Sequence, residues 1–265
     1  MPKKEKIIIK KYAPYSSVRF KKIVQSLEVV EWSLDLGCSI GVLTKEIAEK
    51  SKKVVAFDIN KRAVKVAKEI SPKNCFCVIG DATALPFKNN SFNQIVSSEV
   101  VEHIMDYKKY IQEAFRVSKK GGNFMLTTPN RSVNFPSIGY IPAPSISWFL
   151  GKLTRNPLFL YPYGHYFGGF SAGKLRNSIQ SVGFKAEQTD YRGFLLGKII
   201  DDILYIISIK KKIYGDVLWA NEPNEKYLKF YLKFVPIIEH CIKLDSFFVQ
   251  KLGLQGYVLF MKCRK

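Results

Sequence analysis

Residues Ser33–Ala48, SLDLGCSIGVLTKEIA, read as a strand, a glycine turn and the start of a helix. An acid, Asp35, closes the apolar run Trp32–Leu36, and Gly37 and Gly41 bracket a four-residue step. Beyond them Leu43, Ile47 and Ala48 recur at helical spacing. Glycine lets a chain reverse tightly and lets its backbone approach a ligand closely. The helix that follows starts with free N–H groups aimed back at the same place. Gly37–Gly41 is therefore the expected seat of a small molecule, although a plain strand-to-helix turn explains two glycines as well. Only the rest of the chain separates these readings.

The context favours a ligand. VVAFDIN, residues 54–60, is a buried-type strand ending in Asp58. The acid stands about twenty residues past the turn, where a nucleotide-binding βαβ unit places a carboxylate on ribose hydroxyls. A helix over Lys61–Ile70 follows, then a strand, Cys75–Ile79, running into Gly80-Asp81-Ala82. An acid beside a small residue can accept from an adenine amino group while leaving room for the ring. Three strand ends thus meet at one crevice, as in open α/β sheets that bind ligands. A loop over Leu85–Asn93 leads to the strand Gln94–Ser98, the segment Glu99–Ile104, a helix over Tyr107–Val117, a tight turn at Gly121-Gly122 and the strand Asn123–Thr128. Such alternation predicts a parallel sheet covered by helices.

The 265 residues suffice for one large domain, divided into a basic arm and helix (1–30, the helix from Ser17 to about Val30), a cofactor-binding half (31–128), a cap (129–170), a helix and strand (171–193), a helical basic and aromatic insertion (194–252) and a final strand (253–265). The helix is expected over Ser171–Val182, stopping at Gly183. The strands are expected over Phe184–Tyr191 and Gly256–Lys262. The cap holds six prolines and many aromatics, and a loop of that length in a compact domain is usually functional.

Charge is the unusual part of the composition. The formal net charge is +20, which favours anionic partners such as nucleic acid, an acidic membrane surface or phosphorylated substrates. Of the 42 basic residues only eight are arginine, however, and specific phosphate or base recognition leans on the arginine fork. Residues 1–22 carry eight Lys/Arg against one Glu, and form either a frayed arm or a flap that closes through Tyr12, Tyr15 or Arg19. In 194–252 apolar and aromatic residues at helical spacing alternate with lysines. These helices pack on the body, or rest a basic amphipathic face on an anionic membrane. Cysteines 38, 75, 77, 241 and 263 show no zinc or disulfide spacing, so they are expected as reduced thiols. The opening MPKKEKIIIKKY does not resemble a signal peptide, and no apolar run is long enough to span a bilayer. A cytoplasmic protein, peripheral to the membrane if 194–252 binds it, is the expectation.

LDLGCSIG, FDIN, GDATALPF, SFNQIVSSEVVEHI and RVSKKGGNFMLTTPN resemble the successive motifs of class I S-adenosylmethionine-dependent methyltransferases, in style the quinone-biosynthesis and the glycan or lipid enzymes. The resemblance is strong over about residues 30–130 and moderate over 164–184. It implies a Rossmann-like α/β fold with a seven-stranded, mostly parallel sheet whose last strand is antiparallel, helices on both faces, and two insertions. It implies S-adenosylmethionine as cofactor. Asp35, Gly37 and Gly41, with Cys38 and Ser39 in the same turn, would surround the methionine part. Asp58 would take the ribose, Ile59 the adenine face, and Asp81 and Ala82 the adenine amino group. Ser98 and Glu99 would lie beside the reacting methyl. Ser39 stands where the family carries its middle glycine, and Asn93 where it usually carries an acid.

A sulfonium methyl is already activated, so alignment of a nucleophile and exclusion of water are the main requirements. An oxygen nucleophile also needs its proton removed, or a metal to lower its pKa. On a helical turn Glu99, Glu102 and His103 would share a face, and the ExxEH pattern resembles the divalent-metal site of quinone-pathway O-methyltransferases. A capping or structural role is the alternative. His103 and His165 are the candidate bases, and His240 reads as structural. The expected acceptor is a small molecule or lipid, O- or C-methylated. An RNA methyltransferase and a non-catalytic cofactor-binding scaffold are the other readings.

Overall fold

The computed structural model describes residues 14–130, 132–135, 139–142, 169–192, 256 and 258–265, and single helical positions between 153 and 251. Side chains are described from Phe20 onward, without those of 132–142 and Arg192. The elements are α1 (Pro14–Ser26), β1 (Val30–Leu36), α2 (Val42–Glu49), β2 (Ser51–Asp58), α3 (Lys61–Ile70), β3 (Cys75–Ile79), β4 (Phe92–Ser98), a 3-10 turn (Val101–His103), α4 (Tyr107–Val117), β5 (Ser118–Pro129), a hairpin of β6 (Ser132–Phe135) and β7 (Gly139–Pro142), α5 (Ala172–Ser181), β8 (Lys185–Arg192) and β9 (Val258–Arg264).

Seven strands form one sheet in the order β3-β2-β1-β4-β5-β9-β8. Pairing is parallel from β3 to β5, while β9 runs antiparallel to both β5 and β8. This is the expected seven-stranded sheet with its final strand reversed. The chain order reverses between β1 and β4, so their carboxyl ends diverge into a crevice at the switch point. Strands buried on both faces explain the near-continuous apolar runs. On one face α4 and α5 bury Tyr110, Ile111, Leu175 and Ile179 against Leu34, Phe124 and Leu259. On the other, α1 and α2 bury Ile23, Leu43 and Ile47 against Val54, Val96 and Phe260, and α3 packs Val64 on Ala56 and Cys38.

Several boundaries move for local reasons. The first helix ends at Ser26, not near Val30, because the Glu28 N–H bonds the Gln94 Oε1 at 3.0 Å and the Val30 N–H the Lys50 carbonyl at 2.9 Å, which draws these residues into the sheet. The second strand ends at Asp58 as expected but starts earlier, at Ser51, and Asn60 caps α3 by accepting from Arg62 and Ala63. β5 starts at Ser118. Its register jumps from Phe92↔Ser118 to Gln94↔Asn123, so the Gly121-Gly122 turn is a bulge within that strand. α5 begins one residue later than expected because Ser171 is its cap. β8 and β9 are each displaced by one or two residues. His240, read as structural, is exposed.

No helix separates β3 from β4. Glu113 and Arg116 of α4 fasten the loop instead: Leu85 N–H donates to Glu113 Oε2 at 2.7 Å, and the Arg116 guanidinium donates to the carbonyls of Leu85 and Phe87 at 2.9 and 2.7 Å. Asn93, in place of the usual acid, accepts from the Trp32 N–H at 3.2 Å and from Lys119 at 3.3 Å. The arm, the cap from 143 to 168 apart from Leu153, and most of 194–252 lie outside the described residues.

Candidate functional site

The glycine turn is built from backbone. Gly37 and Gly41 have φ of +87° and +81°, and Ser39, at the place of the middle glycine, has φ 48°. A serine can occupy this left-handed region at moderate cost. The N–H groups of Gly37 and Cys38 both donate to the Phe57 carbonyl, at 2.7 and 3.0 Å, and the Gly80 N–H donates to the Asp58 carbonyl at 3.1 Å. These bonds draw the ends of β1, β2 and β3 together.

Asp58 holds the arrangement from the side. Its Oδ2 accepts from the Ser39 N–H and its Oδ1 from the Asn60 N–H, both at 2.8 Å. Asp81 accepts from the N–H and hydroxyl of Thr83 at 2.7 and 2.8 Å, which shapes the turn after β3. Asp35 is buried and accepts from the Thr44 hydroxyl at 2.5 Å. Burial pushes its carboxyl up to about 7 against the pull of the Thr44 bond, and the nearby Asp58 charge adds to the rise. Burial chiefly, then the Asp35 and Asp58 charges, push the Cys38 thiol up, so it is no nucleophile.

The helix starts differ in a telling way. Asn60, Asp106 and Ser171 cap α3, α4 and α5 with side-chain bonds, whereas α2 starts from Gly41 with no side-chain cap. The first N–H groups of α2 are thus available to an anion such as a carboxylate. Beside them a chain of net charge +20 gathers three carboxylates at strand ends. That pairing suits a ligand carrying both a carboxylate and positive charge. Ile59, 71% exposed next to Asp58, offers an apolar face for a ring.

Residues 34–126 match the methyltransferase domain family. The ubiquinone biosynthesis O-methyltransferase of Idiomarina loihiensis is 27% identical over 184 residues, 67% of this chain and 74% of that protein. A probable S-adenosylmethionine-dependent methyltransferase of Mycolicibacterium smegmatis is 31% identical over 157 residues, 59% of this chain and 52% of that protein. Over residues 34–126 the chain carries the methyltransferase domain of this family, and it is similar to S-adenosylmethionine-dependent methyltransferases. A crystal structure of a putative methyltransferase from Bacillus halodurans has the same fold, with TM-score 0.58 and 20% identity over 93% of this chain and 97% of that one. The chain spans about half the length of the mycobacterial relative.

Within the methyltransferase crevice the far wall is the end of β4. Ser98 shares a 3.0 Å hydroxyl contact with Thr127, and the Glu99 N–H donates to the Thr127 carbonyl at 3.0 Å. Glu99 has φ 57°, so the chain turns sharply there and starts no helix. A 3-10 turn follows, in which Glu102 is buried and His103 half-buried. The helical turn expected to put Glu99, Glu102 and His103 on one face is therefore not formed. Among the described residues no group of three His, Cys, Asp or Glu side chains is placed to hold a metal ion. Glu102 Oε2 instead accepts from the buried Thr128 hydroxyl at 3.0 Å. His165 lies outside the described residues.

Three contributors escaped the sequence reading. Thr44 is a polar residue at a buried helical position, a legible signal that a partner must lie opposite. Thr128 carries the same signal in a strand. Val100, whose Cγ2 would lie 2.2 Å from a Cβ placed on Gly37, carries none, being one apolar residue in an apolar run.

Proposed function

We propose that this methyltransferase moves the methyl group of S-adenosylmethionine to an oxygen or carbon of a small-molecule or lipid-like acceptor by in-line displacement, a quinone-type phenol being the first candidate. The observation that carries the reading is the convergence of an uncapped helix start, a left-handed turn and three strand-end acids on one crevice. The name of the Idiomarina relative supports the choice of acceptor.

In this reading the first turn of α2 holds the methionine carboxylate, with Asp35 and the Gly37–Gly41 turn around the rest of that moiety. Asp58 receives the ribose hydroxyls, Ile59 covers the adenine, and Asp81 with Ala82 takes its amino group. The bound cofactor supplies an electrophilic sulfonium methyl. Ser98 and Glu99 border the reacting centre, and the protein's task is to hold the acceptor in line and keep water out. For a hydroxyl acceptor His103 takes the proton, with His165 as the alternative base. The insertions 129–170 and 194–252 select the acceptor, the second also meeting an anionic membrane surface in a cytoplasmic protein.

Methyl-labelled S-adenosylmethionine, offered with a lipid extract, a phenolic metabolite pool or bulk RNA, tests the proposal. Label in the lipid or phenolic fraction is expected. Label in RNA that ribonuclease removes would replace this reading with an RNA methyltransferase, and label in no fraction would favour the scaffold.

A further inference from the structure

Glu102 is fully buried, although taking a carboxylic acid out of water is costly unless it is engaged. Its Oε2 accepts from the Thr128 hydroxyl, itself fully buried, at 3.0 Å. Twenty-six residues separate the two, so the bond ties the turn after β4 to the end of β5. One residue upstream on β5, the Thr127 carbonyl accepts from the Glu99 N–H at 3.0 Å. The segment from Glu99 to Glu102 is thus hung from β5 at both ends, with Val100 between the two attachments.

Val100 touches the cofactor turn. A Cβ on Gly37 would lie 2.2 Å from Val100 Cγ2, so the valine fills the space beside that glycine. Val101, 1% exposed, adds an apolar anchor, and the His103 N–H closes the turn onto the Val100 carbonyl at 2.9 Å. We propose that Glu102 is a positioning residue for the cofactor turn: through Thr128 it seats Val100 against Gly37. The next residues of the chain carry two further bonds. The Pro129 carbonyl accepts from the Phe170 N–H at 2.9 Å, and the Asn130 amide donates to the Gly256 carbonyl at 2.9 Å. The chain that follows each insertion is thus bonded to β5 or its end one or two residues beyond Thr128.

This inference rests on the reading that the turn holds S-adenosylmethionine. The test is calorimetric titration of the full chain with S-adenosylhomocysteine, at a temperature where thermal unfolding shows each protein folded. E102A and T128V are each expected to weaken binding about tenfold, within the range of coupling between neighbours in one network. The double variant is expected to be no weaker than either single one, because both break the same bond. E102Q keeps an oxygen for Thr128 and is expected to bind within about twofold of the parent. Should E102A not fold, T128V and E102Q decide. Wild-type affinity in folded E102A and T128V, or a loss in E102Q as large as in T128V, overturns the proposal. Failure of the parent chain to bind sinks the cofactor reading instead.

Discussion

The two sides of the crevice are held by different means. On the β1–β2–β3 side, backbone N–H groups meet the Phe57 and Asp58 carbonyls and the Asp58 carboxylate, around a turn in which three residues have positive φ. On the β4–β5 side, side chains join the backbone bond from Glu99 to Thr127: Ser98 with Thr127 and Glu102 with Thr128, each pair more than twenty-five residues apart in the chain. A backbone-built cradle tolerates little change in residue type, because the conformation itself is the requirement. A side-chain-built wall can be rebuilt residue by residue. One side fits a fixed donor of methyl groups, and the other fits acceptors that vary.

The largest expected effect lies on the backbone-built side, at Asp35. A raised folded pKa means that the native state holds a proton the unfolded chain has lost, so stability falls as pH rises through this range, opposite to a salt-bridged carboxylate. From the ordinary value of 3.8 to about 7 the contribution amounts to about 4 kcal/mol. Denaturant unfolding of wild type relative to D35N should show that loss between about pH 4 and 8. A flat difference would mean that Asp35 is not desolvated as described.

Next comes Gly37. Alanine there combines left-handed strain with a 2.2 Å approach to Val100 and should cost about 3 kcal/mol in urea unfolding. V100A placed in the same chain should recover the steric part and leave the strain. Full recovery would show that the turn's conformation is not what makes it rigid. The smallest effect is at Asn60, whose carboxamide caps α3 beneath the turn. N60A should lose about 1 kcal/mol. Any larger loss would indicate that α3, whose Ala67 lies against Gly41, supports the turn more than its cap suggests.

Legibility in the sequence follows the same division. α3, β3 and α4 stand at their expected bounds, and at the two helices the caps found in the structure, Asn60 and Asp106, coincide with tertiary demands. Asp35, Asp58 and Asp81 were legible as strand-end acids because the βαβ spacing is short-range. α1 was overextended because nothing local says that Glu28 and Val30 are claimed by Gln94 and Lys50. Glu99 at positive φ was illegible, since glutamate is not a turn residue and a contact with β5, distant in the chain, holds it there. The Val100–Gly37 contact joins residues far apart in the chain, and no local pattern encodes it.

The central claim is that the turn under Asp58 binds the methyl donor. Titration of wild type and D58A with S-adenosylhomocysteine tests it most directly. One saturable site in wild type, weakened at least about tenfold in D58A, is the predicted result, the scale of one lost hydrogen bond to a charged group. No binding by the folded wild type, or equal binding by both proteins, would contradict it.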